Sequence, residues 1–474
     1  MRILFIASEA FPLAKVGGLA DVTSSLAIAL HDLGHEPSLI LPKYASMKAP
    51  VQDIKGTNIG VSFMGHCEQA ALKMTMLKGI IPVYLVENER HFGIQEIYTE
   101  ADLDRFLFFS LSIPSILSHL DLRPDIIHCH DWHTSLTPLW LKKANMAPPC
   151  IFTIHNLAYQ GPFDQEFSVR SGLSSVWQEC VPSAAPKPLL NFMSQGILLS
   201  DIVTTVSPTY ASEILTPQYG EGLDQILSYR HNDLYGIVNG IDYEEYDPAT
   251  DPNLESNYDF ATIERRLENK LALQRKSGLP QNPDIPLFGM VSRLDEQKGI
   301  DLLLEAIDPF TTETGAQLVI LGQGREHYHK LLSEKVLRHP DRLSVSIATD
   351  ERLARLIYSG SDVFLMPSRF EPCGLGQLIA MRYGAIPLVR HTGGLADTVK
   401  DMTETNGNGI VFRDYTVLEI LQAMKRAENG FYQREEWEAL IRRNMKLDLS
   451  WNVSATKYEE IYARARDPFR TYHP

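Results

Sequence analysis

A chain of 474 residues, 44% of them apolar, is too long for one ordinary core, so two domains are expected. A formal net charge of −15 argues against broad electrostatic adhesion to nucleic acid or anionic membrane, while leaving room for a small basic pocket. Five cysteines (Cys67, Cys129, Cys150, Cys180 and Cys373), odd in number and without a CxxC pair, point to a reducing, cytoplasmic compartment.

Residues 2–7, RILFIA, read as a buried parallel strand. The apolar run before Ser8 and Glu9 is too short for a signal peptide. No later stretch approaches the roughly 20 apolar residues that span a bilayer. After the loop SEAFPLAKVGG, Leu19, Val22, Leu26, Leu30 and Leu33 recur at helical spacing up to Gly34, and residues 36–41 form another strand. This is the strand–loop–helix–strand unit of a doubly wound sheet. Residues 125–129 and 150–154 read as strands running into histidine-bearing loops, followed by strands at 202–206 and 234–238. Residues 241–260 are polar, acidic and turn-rich, which suits a linker or hinge. A second α/β series follows, with strands at 286–291, 317–321, 363–366 and 386–389. The pentapeptide GGLAD at 17–21 recurs at 393–397, each time between a strand and a helix. The echo fits two similar α/β domains, each presenting a glycine-rich helix start; a chance repeat is the alternative.

Four clusters carry chemistry. In Lys15-Val16-Gly17-Gly18, paired glycines admit close backbone approach, and the helix start offers N–H groups and a positive dipole end to an anion. A plain strand-to-helix turn with a surface lysine reads equally well. Arg293 and Lys298, five residues apart after a strand, can converge on one diphosphate at the strand's carboxyl end. A solvated basic patch is the alternative, at a small electrostatic cost beside a helix N-terminus. In Arg369-Phe370-Glu371-Pro372-Cys373-Gly374-Leu375-Gly376, a carboxylate at a glycine turn can accept from sugar hydroxyls, and the following amides can donate. Cys373 reads as a packed small residue rather than a nucleophile. His128, His130, Asp131 and His133 could be counted as metal ligands, but alternate residues at a strand end point in opposite directions, which favours hydrogen-bonding histidines over a metal site. His155, directly after a strand, is better placed to contact a reacting sugar.

In this order, SEAFPLAKVGGLADV, HDWH, TIHNLAYQG, VSPTYASEI, VNGID, SRLDEQKG, RFEPCGLGQ and TGGLADTV resemble the bacterial glycogen synthases and plant starch synthases over nearly the whole chain. The resemblance implies an α/β GT-B architecture of two Rossmann-like doubly wound domains facing across a cleft: residues 1–240, residues 241–453, and a helix at 454–474 crossing back to the first domain. It implies a retaining transfer of glucose from ADP-glucose to an α-1,4-glucan primer (glycogen or maltooligosaccharide), with no metal and no cofactor beyond the donor. Lys15, Gly17 and Gly18 would contact the donor phosphates, and Arg293 and Lys298 would clamp the diphosphate. Glu371 would bind the donor glucose beside the amides of Cys373, Gly374 and Leu375. Thr392, Gly393 and Gly394 would add phosphate contacts. His155 and Asp131 would line the glucose and acceptor side, with Asn239 shaping the site. Gly376 stands where the family usually carries Thr or Asn, and Arg90-His91-Phe92-Gly93 matches the family's acceptor-side loop only loosely. A UDP-glucose-dependent enzyme of the same architecture and a silent glucan-binding protein are the rival readings.

Overall fold

The computed structural model describes residues 1–180 and 185–467, in two compact units. The first comprises Met1–Asn239 and the chain from Trp451 onward; the second is Gly240–Ser450. Residues 468–474, the end of the expected terminal segment, lie outside the described residues.

The first unit holds strands β1 (Arg2–Ile6), β2 (Glu36–Pro42), β3 (Gln52–Phe63), β4 (His66–Leu77), β5 (Ile81–Glu87), β6 (Ile126–His130), β7 (Cys150–Ile154), β8 (Ile202–Thr205) and β9 (Leu234–Gly236). They form one sheet in the order β3-β4-β5-β2-β1-β6-β7-β8-β9. The stretch from β5 to β9 is parallel throughout. Its central strands are buried on both faces, which is why they read as unbroken apolar runs. Numbered by themselves, these parallel strands run 3-2-1-4-5-6-7, so the order reverses between β1 and β6.

Sequence reading passed over β3 and β4, which pair antiparallel and extend the sheet beyond β5. Their turn, Met64-Gly65, has φ of 46° and 81°, the left-handed pair that matches the twist of a two-residue hairpin. Only one face of this hairpin is buried, so its apolar signal is half that of a central strand.

The second unit holds β10 (Leu287–Val291), β11 (Gln317–Leu321), β12 (Leu343–Ser346), β13 (Val363–Met366), β14 (Ile386–Arg390) and β15 (Ile410–Phe412), all parallel, in the order β12-β11-β10-β13-β14-β15. Renumbered, this is 3-2-1-4-5-6, the order whose reversal point forms a binding crevice at the carboxyl ends of the strands. Here the reversal falls between β10 and β13.

Two segments behave differently from their composition. Residues 241–260 are fastened to the second unit rather than forming a free hinge. Arg355 is buried, donates to the Glu245 carbonyl at 2.6 Å and lies 4.1 Å from the centre of the Tyr246 ring. Tyr383 donates to Asp251 at 2.6 Å, and Tyr258 donates to the Tyr383 carbonyl at 2.7 Å. The acidic residues that suggested solvent thus satisfy a buried guanidinium and phenol. At the other end, the helix Trp451–Ala465 packs on the first unit, against the helix Gly18–Asp32. Its Ser454 donates to the Val238 carbonyl at 2.6 Å, and its buried Tyr462 hydroxyl lies 2.9 Å from His128 Nδ1.

Candidate active-site residues

In the first unit the strand ends on either side of the reversal point bring together the loop after β1 and the loops after β6 and β7. Glu9, buried just beyond β1, accepts from the backbone amides of Val16 at 2.5 Å and Gly17 at 3.0 Å, and from the Tyr98 hydroxyl. The glycine loop is therefore held from within by a carboxylate, and the Gly17 amide is already engaged. No atom lies within 4 Å of where a Gly17 Cβ would stand, so this backbone faces open space. Lys15 is half-exposed and pairs with Asp21 at 2.7 Å, one turn into the helix it precedes.

After β6, Asp131 takes φ of 56° and turns its carboxylate back to accept from the His155 amide at 2.8 Å. Burial pushes its carboxyl up to about 7, against the lowering effect of the His155 and Asn156 amides and with a further rise from the Glu9 charge. His155 Nε2 lies 2.9 Å from His130 Nδ1. Burial pushes the imidazoles of His155 and His133 down to about 3, and those of His128 and His130 well below their ordinary value. His133 stacks on Tyr98 at 4.8 Å and meets Phe106 edge-on at 4.6 Å. His128 spans Tyr462 and Thr153, 2.9 and 2.6 Å away. These histidines form a neutral, hydrogen-bonded and stacked cluster. Among the described residues no three His, Cys, Asp or Glu side chains are grouped to hold a metal ion. Asn239 is buried at the end of this unit, its side-chain oxygen without a protein hydrogen bond.

In the second unit the loops after β10, β13 and β14 converge. Lys298 Nζ lies 2.6 Å from Glu371 Oε2, and Ser368 donates to the same oxygen at 3.0 Å. Glu371 is 6% exposed at its side chain and Lys298 19%, so the pair sits largely out of water. Gly299, with φ of 76°, makes this possible: a Cβ there would strike the Pro367 carbonyl. Arg293 is held differently. Half exposed, it pairs with Asp295 at 2.7 Å and donates to Gln297 at 2.8 Å.

The glycines at 393 and 394 serve close packing. A Cβ on Gly393 would meet the Glu371 carbonyl, and one on Gly394 would meet the backbone of Cys373. Gly394 donates to the carbonyls of Glu371 at 3.0 Å and Pro372 at 3.1 Å. Thr392, buried, ends the strand side of the same turn. Gln377 fixes the turn from below, donating to the carbonyls of Cys373 at 3.1 Å and Gly374 at 2.9 Å. Cys373 is buried, Gly374 has φ of 75°, and Leu375 leads into the helix Gly376–Arg382. A Cβ on Gly376 would lie 3.0 Å from the Phe364 ring and 3.3 Å from the Met366 sulfur, so the slot behind this residue is filled by core side chains.

Thus Lys298, Glu371, Cys373 and Gly393-Gly394 meet in one unit, and Asp131 and His155 meet in the other. Arg293 turns to its own loop. The Arg90–Gly93 segment is structural in part: His91 is buried 3.0 Å from Glu68 and stacks on Phe108 at 4.4 Å, while Arg90 pairs with Glu68 at 2.6 Å. Sequence reading missed Glu9, Ser368, Gln377 and the pairing of His130 with His155. Glu9 alone carried a signal, a carboxylate immediately beyond a buried strand.

Two Rossmann-type units, each with polar groups gathered where its strand order reverses, fit a glycosyltransferase of the GT-B class, as the matches to known proteins show. Residues 2–229 match the starch synthase catalytic domain family and residues 272–443 the glycosyl transferases group 1 family. The glycogen synthase of Geotalea daltonii is 45% identical, with 98% of each chain covered. The catalytic domain of starch synthase IV from Arabidopsis thaliana, solved bound to ADP and acarbose, superposes with a TM-score of 0.90 at 36% identity, covering 98% of this chain and 99% of that one. A sucrose-phosphate synthase from Thermosynechococcus elongatus, TM-score 0.63 at 16% identity over 98% of each chain, shares the fold. The chain belongs to the glycogen synthase and starch synthase family. It is a glucosyltransferase of that type, and no helix among its described residues is long and apolar enough to cross a membrane.

Proposed function

We propose that the enzyme transfers glucose from ADP-glucose to the non-reducing end of an α-1,4-glucan with retention of configuration. The observation that carries this reading is the Lys298–Glu371–Ser368 constellation at the reversal point of the second sheet, in a chain alike over nearly its whole length to a glycogen synthase. Lys298 and Arg293 take the diphosphate, and Glu371 takes the glucose hydroxyls. The amides of Cys373, Gly374 and Leu375 and the Thr392–Gly394 turn take donor oxygens. Lys15 with Gly17 and Gly18 contributes to the phosphates. His155 and Asp131 contact the glucose and the acceptor, and Asn239 shapes the site.

Breaking the bond from the glucose anomeric carbon to phosphate oxygen builds positive charge on the sugar and negative charge on ADP. Cations fixed beforehand stabilise that separation without reorganising, the largest usual term in enzyme catalysis. The acceptor hydroxyl attacks from the face that ADP leaves, and the departing phosphate oxygen takes its proton. Protein cations carry the departing charge, and no metal ion is called upon. ADP release measured with ADP-glucose or UDP-glucose and a glucan primer tests the donor; turnover with UDP-glucose alone overturns it. A glucosyl ester trapped on Glu371 or Asp131 overturns the single-step route.

A further inference from the structure

His130 is fully buried in the first unit, and its ring is fixed on three sides. It stacks on Phe5 at 5.5 Å with an interplanar angle of 8° and on His155 at 5.2 Å, and lies tilted against His128 at 4.1 Å. One hydrogen bond, 2.9 Å from His130 Nδ1 to His155 Nε2, joins the two rings, so one of these nitrogens carries the proton and the other accepts it. The remaining nitrogen of His130, Nε2, is buried without a protein hydrogen bond. If His155 were the donor, His130 would have to carry its proton on that nitrogen and bury an N–H with no acceptor. If His130 is the donor, the buried nitrogen is a bare lone pair, and orphaned donors are the rarer outcome in folded proteins.

We infer that His130 is a positioning residue: by donating through Nδ1–H to His155 Nε2, it fixes His155 as the Nδ1–H tautomer, a hydrogen-bond donor toward the hexose. Which ring nitrogen of a histidine holds the proton is set by the bond made at the other. His155 is partly exposed, and its Nε2 is already turned inward, so Nδ1 is the nitrogen left to meet a hydroxyl oxygen. Both rings stay neutral, so the device is one of direction rather than of charge. The inference rests on the proposed contact of His155 with the sugar.

Histidine-selective ¹⁵N labelling and two-bond ¹H–¹⁵N correlation spectra of the ligand-free enzyme read the tautomer directly. The expected result is His155 protonated at Nδ1. Protonation at Nε2 overturns the inference, and this measurement needs no variant to fold. His130→Phe is expected to mix the His155 tautomers and lower kcat roughly tenfold or more, as loss of an outer hydrogen-bond partner does elsewhere. His130→Asn, whose amide N–H can replace Nδ1–H, is expected to restore both the tautomer and most of kcat. A His130→Phe enzyme that keeps the Nδ1–H tautomer and full kcat overturns the positioning role. Unchanged turnover in His155→Ala would instead sink the sugar contact while leaving the tautomer assignment standing.

Discussion

Lys298 and Glu371 neutralise each other in a place where neither is well hydrated, so each depends on the other for stability and, under the proposed function, for chemistry. Lys298→Ala leaves the Glu371 carboxylate with its Ser368 contact and no cation. Because Lys298 keeps some exposure, the expected loss in urea unfolding is about 2 kcal/mol, below the 3–5 of a fully buried pair. With Lys298 serving the departing charge as proposed, its loss is expected to lower kcat about 10²–10³-fold. Adding Glu371→Gln should return most of the stability and none of the activity. A single variant with wild-type turnover would remove Lys298 from the mechanism.

At the scale of elements, the two GGLAD helix starts look alike in sequence and differ in surroundings. The Gly17 backbone faces open space, whereas Gly394 lies against Cys373. Gly394→Ala forces two backbones apart and should cost about 1–3 kcal/mol, as overpacking does. It should also depress kcat by moving the Cys373–Leu375 turn. Gly17→Ala should unfold like wild type and show its effect in the donor KM alone. Calorimetry and steady-state kinetics on both variants separate the two outcomes; equal destabilisation would show that the first start is packed as tightly as the second. The terminal helix offers a third element-level test. Tyr462→Phe deletes a buried hydrogen bond to His128 and should lower stability by about 1 kcal/mol, read in the same urea series. No change would mean that apolar packing alone holds this helix.

For the whole molecule the histidine cluster predicts acid sensitivity. His128, His130, His133 and His155 have folded pKa values depressed by burial. Below about pH 6.5 the unfolded chain binds protons that the native fold refuses, so each histidine removes up to about 1.4 kcal/mol per pH unit as pH falls. Asp131 acts in the opposite sense. Its native carboxyl keeps a proton up to about pH 7, so between roughly pH 4 and 7 it weakens the fold as pH rises. One carboxyl offsets one histidine, and the net slope keeps the histidines' sign. Urea midpoints should decline steadily from pH 6.5 to 5. A flat or rising profile would mean that the cluster is charged or hydrated in the native state.

The parallel strands of both sheets were legible in the chain because they are buried on both faces and cannot be anything but apolar. The glycine loops, Arg293 and Lys298 beyond their strand, and the EPCG turn stood out in the chain because paired glycines and cations at a strand end suit close backbone approach and anion binding. The half-buried hairpin of β3 and β4 was not, since its signal is shared with solvent. Nor was the fastening of residues 241–260, where acidic side chains serve a buried arginine. Tertiary structure alone decided that Lys298 meets Glu371, 73 positions away, that Glu9 holds the glycine loop, and that His130 meets His155. The physical reason is that composition and spacing fix what each segment can bury, while the partner of a polar side chain depends on which strand ends the sheet order sets side by side.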